Sequence, residues 1–215
     1  LRRSSAASDV YKRQASKQML ESGNFVDIRF QEEPRYKKPA GTYWLQAASV
    51  NLLSPSKLKE IWPYRIPSLL AAIIAVIGTY FLANVFLPPP GGIIAAIILS
   101  STPLLIGEAH MAKSDALLLA SVVIAQFGLI RTYRNHVSWL NWLCLWGGIG
   151  FGVMIKGPVT PLVIFLTVLV VSIIDREVKW VLKLRPLSGF SLVACICLPV
   201  SYTHLRDHET QRNLV

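Results

Sequence analysis

Arg35, Lys37 and Lys38 fall in one tetrapeptide, directly ahead of Pro39-Ala40-Gly41 and the aromatic pair Tyr43-Trp44. Cations held this close to a rigid proline turn suit a phosphate-bearing ligand, because they neutralise the charge that grows on a departing phosphodiester or diphosphate. Lys38 is the best positioned of the three, since Pro39 fixes its own φ and confines the preceding residue to extended geometry. Glu108, His110, Lys113 and Asp115 form a second group. Asp115 admits two readings: a carboxylate that shapes a polar cavity, or an ordinary helix start in which Ser114 or Asp115 caps the helix and its positive end favours the acid. One histidine among scattered carboxylates is a thin ligand set, so no metal is expected. Lys156-Gly157-Pro158 is the third point, a lysine that either snorkels to an interface or faces a cavity.

These groups are set among elements made mostly of hydrocarbon. Of 215 residues, 53% are hydrophobic and 16% charged, with a mean hydropathy of +0.45. Soluble domains carry about a quarter charged residues, so the composition points to a membrane protein. Between Arg65 and Glu108 there is no Asp, Glu, Lys or Arg, a run too long for one crossing of about 20 residues. It is expected to be two spans broken at "PPPGG", residues 88–92. Runs at 116–130, 135–155 and 157–174, and a last one beginning near Pro186, bring the expectation to about six spans. The 116–130 run is short, which places Asp115 and Arg131 at opposite interfaces. Backbone groups in lipid must be bonded internally, so the expected fold is all-α, a polytopic integral membrane helix bundle. Cys144, Cys195 and Cys197 lie in apolar runs and read as small core residues.

Residues 1–14, "LRRSSAASDVYKRQ", and 200–215, ending "DHETQRNLV", read as linker-like additions, and the bundle as truncated. The expected organisation is an outer-face loop with juxtamembrane helices over 15–65 and a transmembrane bundle over 66–199. That part keeps 16 Lys and Arg against nine Asp and Glu, net +7. Interfacial anchoring on anionic lipid accounts for much of this charge. No basic recognition helix or aromatic platform suggests nucleic acid as a partner. "RTYRNH" (131–136) and "DREVKWVLKLRPL" (175–187) are rich in Arg and Lys and are expected on the cytoplasmic side. Within the latter, "WVLKLRPL" suits a short interfacial helix or a plain connecting loop. Alternation then puts 15–65, 108–115 and 156–158 on the outer face.

"MLESGNF", "EEPRYKKPAGTYWLQAAS", "AHMAKSDALLLA" and "GVMIKGPVTPLVIF", in this order and at these spacings, resemble the amino-terminal part of the bacterial lipid-linked glycosyltransferases. These comprise the aminoarabinose (lipid A) transferases and the protein O-mannosyltransferase superfamily, of the GT-C type. The resemblance covers residues 15–185. It implies a membrane glycosyltransferase that moves a sugar from a polyprenyl-phosphate donor to a glycolipid or protein acceptor, in the inner membrane with its site facing the periplasm. Membrane lipids are further partners, and no cofactor is implied beyond the lipid-linked donor. Lys38 matches the family lysine that contacts the donor phosphate, Lys37 stands where the family has glutamate, and Asp115 matches the Asp-Ala-Leu-Leu start of a span. The family's acidic catalytic motif, expected upstream of Met19, is missing, so the catalytic acid is unknown and the fragment is expected to be inactive. Asp9 lies in the linker-like stretch and is not assigned to it. The alternative is a non-catalytic membrane carrier or binding protein for lipid-linked phosphates or sugars.

Overall fold

The computed structural model describes residues 14, 16–23, 25, 29–30, 33–34, 39–53 and 60–198. Helix α1 (residues 16–22) stops at Gly23, whose φ of +67° is the left-handed geometry that ends helices. A two-residue antiparallel ribbon follows, Arg29–Phe30 (β1) with Glu33–Pro34 (β2), in register Arg29 with Pro34 and Phe30 with Glu33. Everything after it among the described residues is helical or connecting. Helix α2 (Gly41–Leu53) buries Tyr43, Gln46, Ala47 and Val50 along one face, the i, i+3, i+4, i+7 spacing of a helix lying on a surface.

Helix α3 (Trp62–Ala83) starts with proline in its first turn, where a missing N–H costs nothing. The tight turn at 88–92 appears where the sequence placed it, but the helix beyond it does not run straight. Helices α4 (Gly91–Ser100) and α5 (Pro103–Ala109) meet at a bend of 63°. The cause is local: the hydroxyls of Ser100, Ser101 and Thr102 donate back to the carbonyls of Ile97, Ile98 and Ile98 at 2.9–3.0 Å, and Pro103 cannot donate to continue the ladder. Helix α6 (Asp115–Tyr133) follows, then α7 (Trp139–Lys156), where the Ser138 hydroxyl accepts from the Asn141 backbone N–H at 3.2 Å. Gly157 (φ +71°) and Pro158 separate α7 from α8 (Val159–Asp175). A 3₁₀ turn (Lys179–Leu184) and helix α9 (Pro186–Leu198) complete the described chain.

Among the described residues two helices are by length and composition long and apolar enough to cross a bilayer, Trp62–Ala83 and Asp115–Tyr133, with a third crossing if the bent pair is one span. The other runs expected to span form shorter or more polar helices: α8 keeps 17 residues, α9 is likewise short and apolar, and α7 carries Asn141 and four glycines. The run at 116–130 is extended by Arg131, Thr132 and Tyr133. The Arg131 guanidinium folds back to 6.0 Å from the Phe127 ring, which lets a cation end an apolar helix.

The packing is that of a helix bundle built for lipid. Ala71, Ala72, Ala75, Ala109, Ala116 and Ala120 fill the contact between α3, α5 and α6, and α6 meets α7 so closely that a Cβ on Gly148 would lie 2.9 Å from the Ser121 carbonyl oxygen. Small residues let helix backbones approach where no hydrophobic effect drives them together. Large aliphatics face outward instead, among them Ile97, Ile98 and Ile174, all more than half exposed. Ser121 and Thr160 (3.1 Å), and Gln126 with Thr167 (2.7 Å), satisfy one another between helices. The three cysteines are free, and Cys195 is exposed rather than part of the core.

Candidate functional site

One end of the bundle gathers α1, α2, the 110–114 loop and the end of α7. Gly41 makes this possible, because a Cβ there would lie 2.5 Å from the Met154 carbonyl oxygen. The first turn of α2 therefore seats directly on the last turns of α7. Met19, Ala40 and Tyr43 are buried around that contact, and Trp44 donates its indole N–H to the Phe25 carbonyl at 2.8 Å. Gln46 is the polar pin, 2% exposed: its Oε1 accepts from the Ser16 hydroxyl at 2.8 Å and its Nε2 donates to the Ala112 carbonyl at 3.4 Å. Ser68 on α3 donates to the Lys113 carbonyl at 2.7 Å. The loop before α6 is thus fixed from two sides.

That loop delivers the charged groups. Lys113 pairs with Glu108 at 2.8 Å, and Asp115 pairs with Lys156 at 2.5 Å across the gap between α6 and α7. Ser114 makes no side-chain cap, so the plain capping role for it does not hold. Asp115 occupies the first turn, where the helix dipole favours it, and also reaches a partner 41 residues away. His110 Nδ1 lies 2.7 Å from the Ile106 carbonyl oxygen, and among the described residues no group of three metal-ligating side chains surrounds it. Arg35, Lys37 and Lys38 lie outside the described residues. The described chain resumes at Pro39, bonded to Lys38, and enters α2 at the Gly41–Met154 contact.

Beneath this polar end an apolar groove of about 620 Å³ runs between α2, α3, α6 and α7, lined by Leu45, Leu52, Leu70, Ile74, Leu117 and Phe151 among others. Leu117, Ala120 and Ile124 carry the groove along the half of α6 that begins at Asp115, although neither Asp115 nor Lys156 lines it. The arrangement can take an extended hydrocarbon with an anionic group at its polar end. The sequence named Asp115 and Lys156 separately but not as a pair. It missed Gln46, whose signal was a lone amide on the buried face of "YWLQAASV".

The sequence profile of the dolichyl-phosphate-mannose-protein mannosyltransferases matches residues 37–203. An undecaprenyl phosphate-alpha-4-amino-4-deoxy-L-arabinose arabinosyl transferase of Pseudomonas savastanoi pv. phaseolicola (strain 1448A / Race 6) is 23% identical over 189 residues, 86% of this chain and 34% of its own. The crystal structure of ArnT from Cupriavidus metallidurans in the apo state superposes with a TM-score of 0.83 at 18% identity, covering 93% of this chain and 37% of that one. The same protein bound to undecaprenyl phosphate superposes equally well. The chain spans about a third of the length of these relatives. With the profile running from Lys37 through both residues of the Asp115–Lys156 pair and on past α9, the chain belongs to the dolichyl-phosphate-mannose-protein mannosyltransferase family.

Proposed function

We propose that the protein carrying this chain is a membrane glycosyltransferase that takes a sugar from a polyprenyl-phosphate donor and passes it to a glycolipid or protein acceptor at the outer face of the bacterial inner membrane. The observation that carries this reading is the apolar groove between α2, α3, α6 and α7, at the end of the bundle that also holds the Asp115–Lys156 pair. A polyprenyl tail is a long hydrocarbon and its phosphate an anion, so one ligand uses both features. Lys38 is assigned to the phosphate, with Lys37 and Arg35 adding to the local positive field, and Asp115 with Lys156 to the rim of the sugar cavity. In the reaction an acceptor hydroxyl attacks the anomeric carbon, the bond from that carbon to the phosphate oxygen breaks, and polyprenyl phosphate leaves with the electron pair. The acceptor proton passes to a base upstream of Met19. Cations at the phosphate stabilise the leaving group as charge builds on it.

The relatives support this assignment, since one is named for transfer from an undecaprenyl phosphate sugar and another has been crystallised with undecaprenyl phosphate. The test is a transfer assay in membranes containing the full-length protein, with a labelled polyprenyl-phosphate sugar as donor. Label moving to an extractable glycolipid or protein is the expected result. Donor binding without transfer identifies a carrier instead.

A further inference from the structure

The opposite end of the bundle holds a second, smaller pocket that the reading above does not use. Its volume is about 250 Å³, and Thr132, Ser138, Trp139, Trp142, Lys183 and Arg185 line it together with apolar neighbours. The wall carrying the two cations is firmly held. Leu184 is buried between them, its carbonyl accepts from the Trp146 indole N–H at 2.8 Å, and Trp180 stacks edge-on against Tyr133 with centroids 5.1 Å apart. Lys183 is aimed by a 2.7 Å bond to the Asn135 side-chain oxygen. Arg185 (φ +51°) caps the 3₁₀ turn and Asn135 (φ +63°) ends α6, so both walls of the pocket are set by helix stops. Facing this wall is the start of α7, an 18-residue helix whose first-turn N–H groups at Trp139 and Leu140 have no intrahelical acceptor. Ser138 uses its oxygen to accept from Asn141, which leaves its hydroxyl proton to donate.

The charge at this end is one-sided. Residues 131–136 and 175–187 contain Arg131, Arg134, Arg176, Lys179, Lys183 and Arg185 against Asp175 and Glu177. Asp175 is already engaged, accepting from the Tyr133 hydroxyl at 2.5 Å, and no acidic side chain among the described residues lies within ion-pair distance of Lys183 or Arg185. Around the pocket the surface is apolar: Trp139 is 74% exposed, Leu182 73% and Leu187 86%. Two cations, a hydroxyl and free helix N–H groups in one concavity suit a phosphodiester. A collar of exposed Trp and Leu suits the glycerol and acyl chains attached to it.

We propose that this pocket binds the phosphodiester headgroup of an anionic phospholipid, tying the 3₁₀ turn and the start of α7 to the leaflet at this end. Phosphatidylglycerol provides that chemistry; a free phosphate shares the headgroup but not the collar. The test uses the full chain in a neutral detergent, with binding of phosphatidylglycerol, phosphatidylcholine and inorganic phosphate followed by native mass spectrometry and by quenching of tryptophan fluorescence. Saturable binding of phosphatidylglycerol is expected, with phosphatidylcholine weaker. Lys183→Gln with Arg185→Gln is expected to weaken phosphatidylglycerol binding by about tenfold or more, while Lys183→Arg with Arg185→Lys retains it. Lys179→Gln removes a like charge from the same turn but outside the pocket and is expected to change binding little. Equal loss in the Lys179 variant means a diffuse basic surface and overturns the proposal. So does equal binding of phosphatidylcholine, or displacement of the lipid by inorganic phosphate, which identifies a free-anion site. Because the lipid comparison is made on the unaltered chain, it decides the matter even if a variant fails to fold.

Discussion

At the residue scale, the Lys38 assignment and the Asp115–Lys156 pair make different demands. A charge-assisted contact to phosphate is worth about 1.5–3 kcal/mol, so Lys38→Ala in the full-length protein is expected to lower donor use by roughly ten- to a hundredfold in the transfer assay. Arg35→Ala and Lys37→Ala are expected to cost less, because neither residue precedes the proline. Equal losses for the three would replace a specific contact with a diffuse patch. Asp115 and Lys156 are 45% and 42% exposed at their side chains, and an ion pair so open to solvent contributes less than about 1 kcal/mol to stability. Asp115→Asn is therefore expected to leave the unfolding temperature in detergent nearly unchanged while reducing transfer about tenfold or more. A large drop in unfolding temperature with transfer intact would make the pair a structural clamp.

At the element scale, the seating of α2 on α7 depends on one missing side chain and one amide. Gly41→Ala places a methyl group 2.5 Å from a backbone carbonyl oxygen that cannot rotate away. Overpacking of this kind costs about 1–3 kcal/mol, and thermal unfolding should report a lower midpoint, whereas Gly107→Ala, whose added methyl meets nothing within 4 Å, should not lower it. Gln46→Leu keeps the volume but strips the buried Ser16 hydroxyl of its acceptor and Ala112 of a donor. A loss of about 1–3 kcal/mol is expected, with faster backbone hydrogen exchange over 16–22 and 110–114 as the local readout. Exchange confined to one of those segments would show that Gln46 does not couple them.

At the scale of the whole molecule, α6 sets the separation of the two sites. Its 19 residues at 1.5 Å each put Asp115 and Tyr133 roughly 27 Å apart, close to the thickness of a bilayer core. With the native cysteines replaced, Glu21→Cys and Glu177→Cys occupy exposed positions at opposite ends. An impermeant thiol reagent applied to intact cells is expected to modify the first and spare the second. The reverse pattern would invert the proposed orientation and put the donor groove on the cytoplasmic side.

The sequence by itself determined where the helices are and where most of them stop, because those properties are written locally. Uncharged runs, the 88–92 turn and the Lys156-Gly157-Pro158 junction all appear where side-chain chemistry put them. It did not determine the 63° bend between α4 and α5. Serine and threonine hydroxyls that turn back on their own carbonyls are as uncharged as the run around them, so hydropathy could not see them. Tertiary structure alone decided which groups meet. Asp115 and Lys156 are 41 positions apart, and Ser16, Gln46 and Ala112 come from three separate stretches. No periodicity links such residues. They meet because glycine and alanine let α2, α6 and α7 close to backbone contact, a property of several helices at once rather than of any one segment.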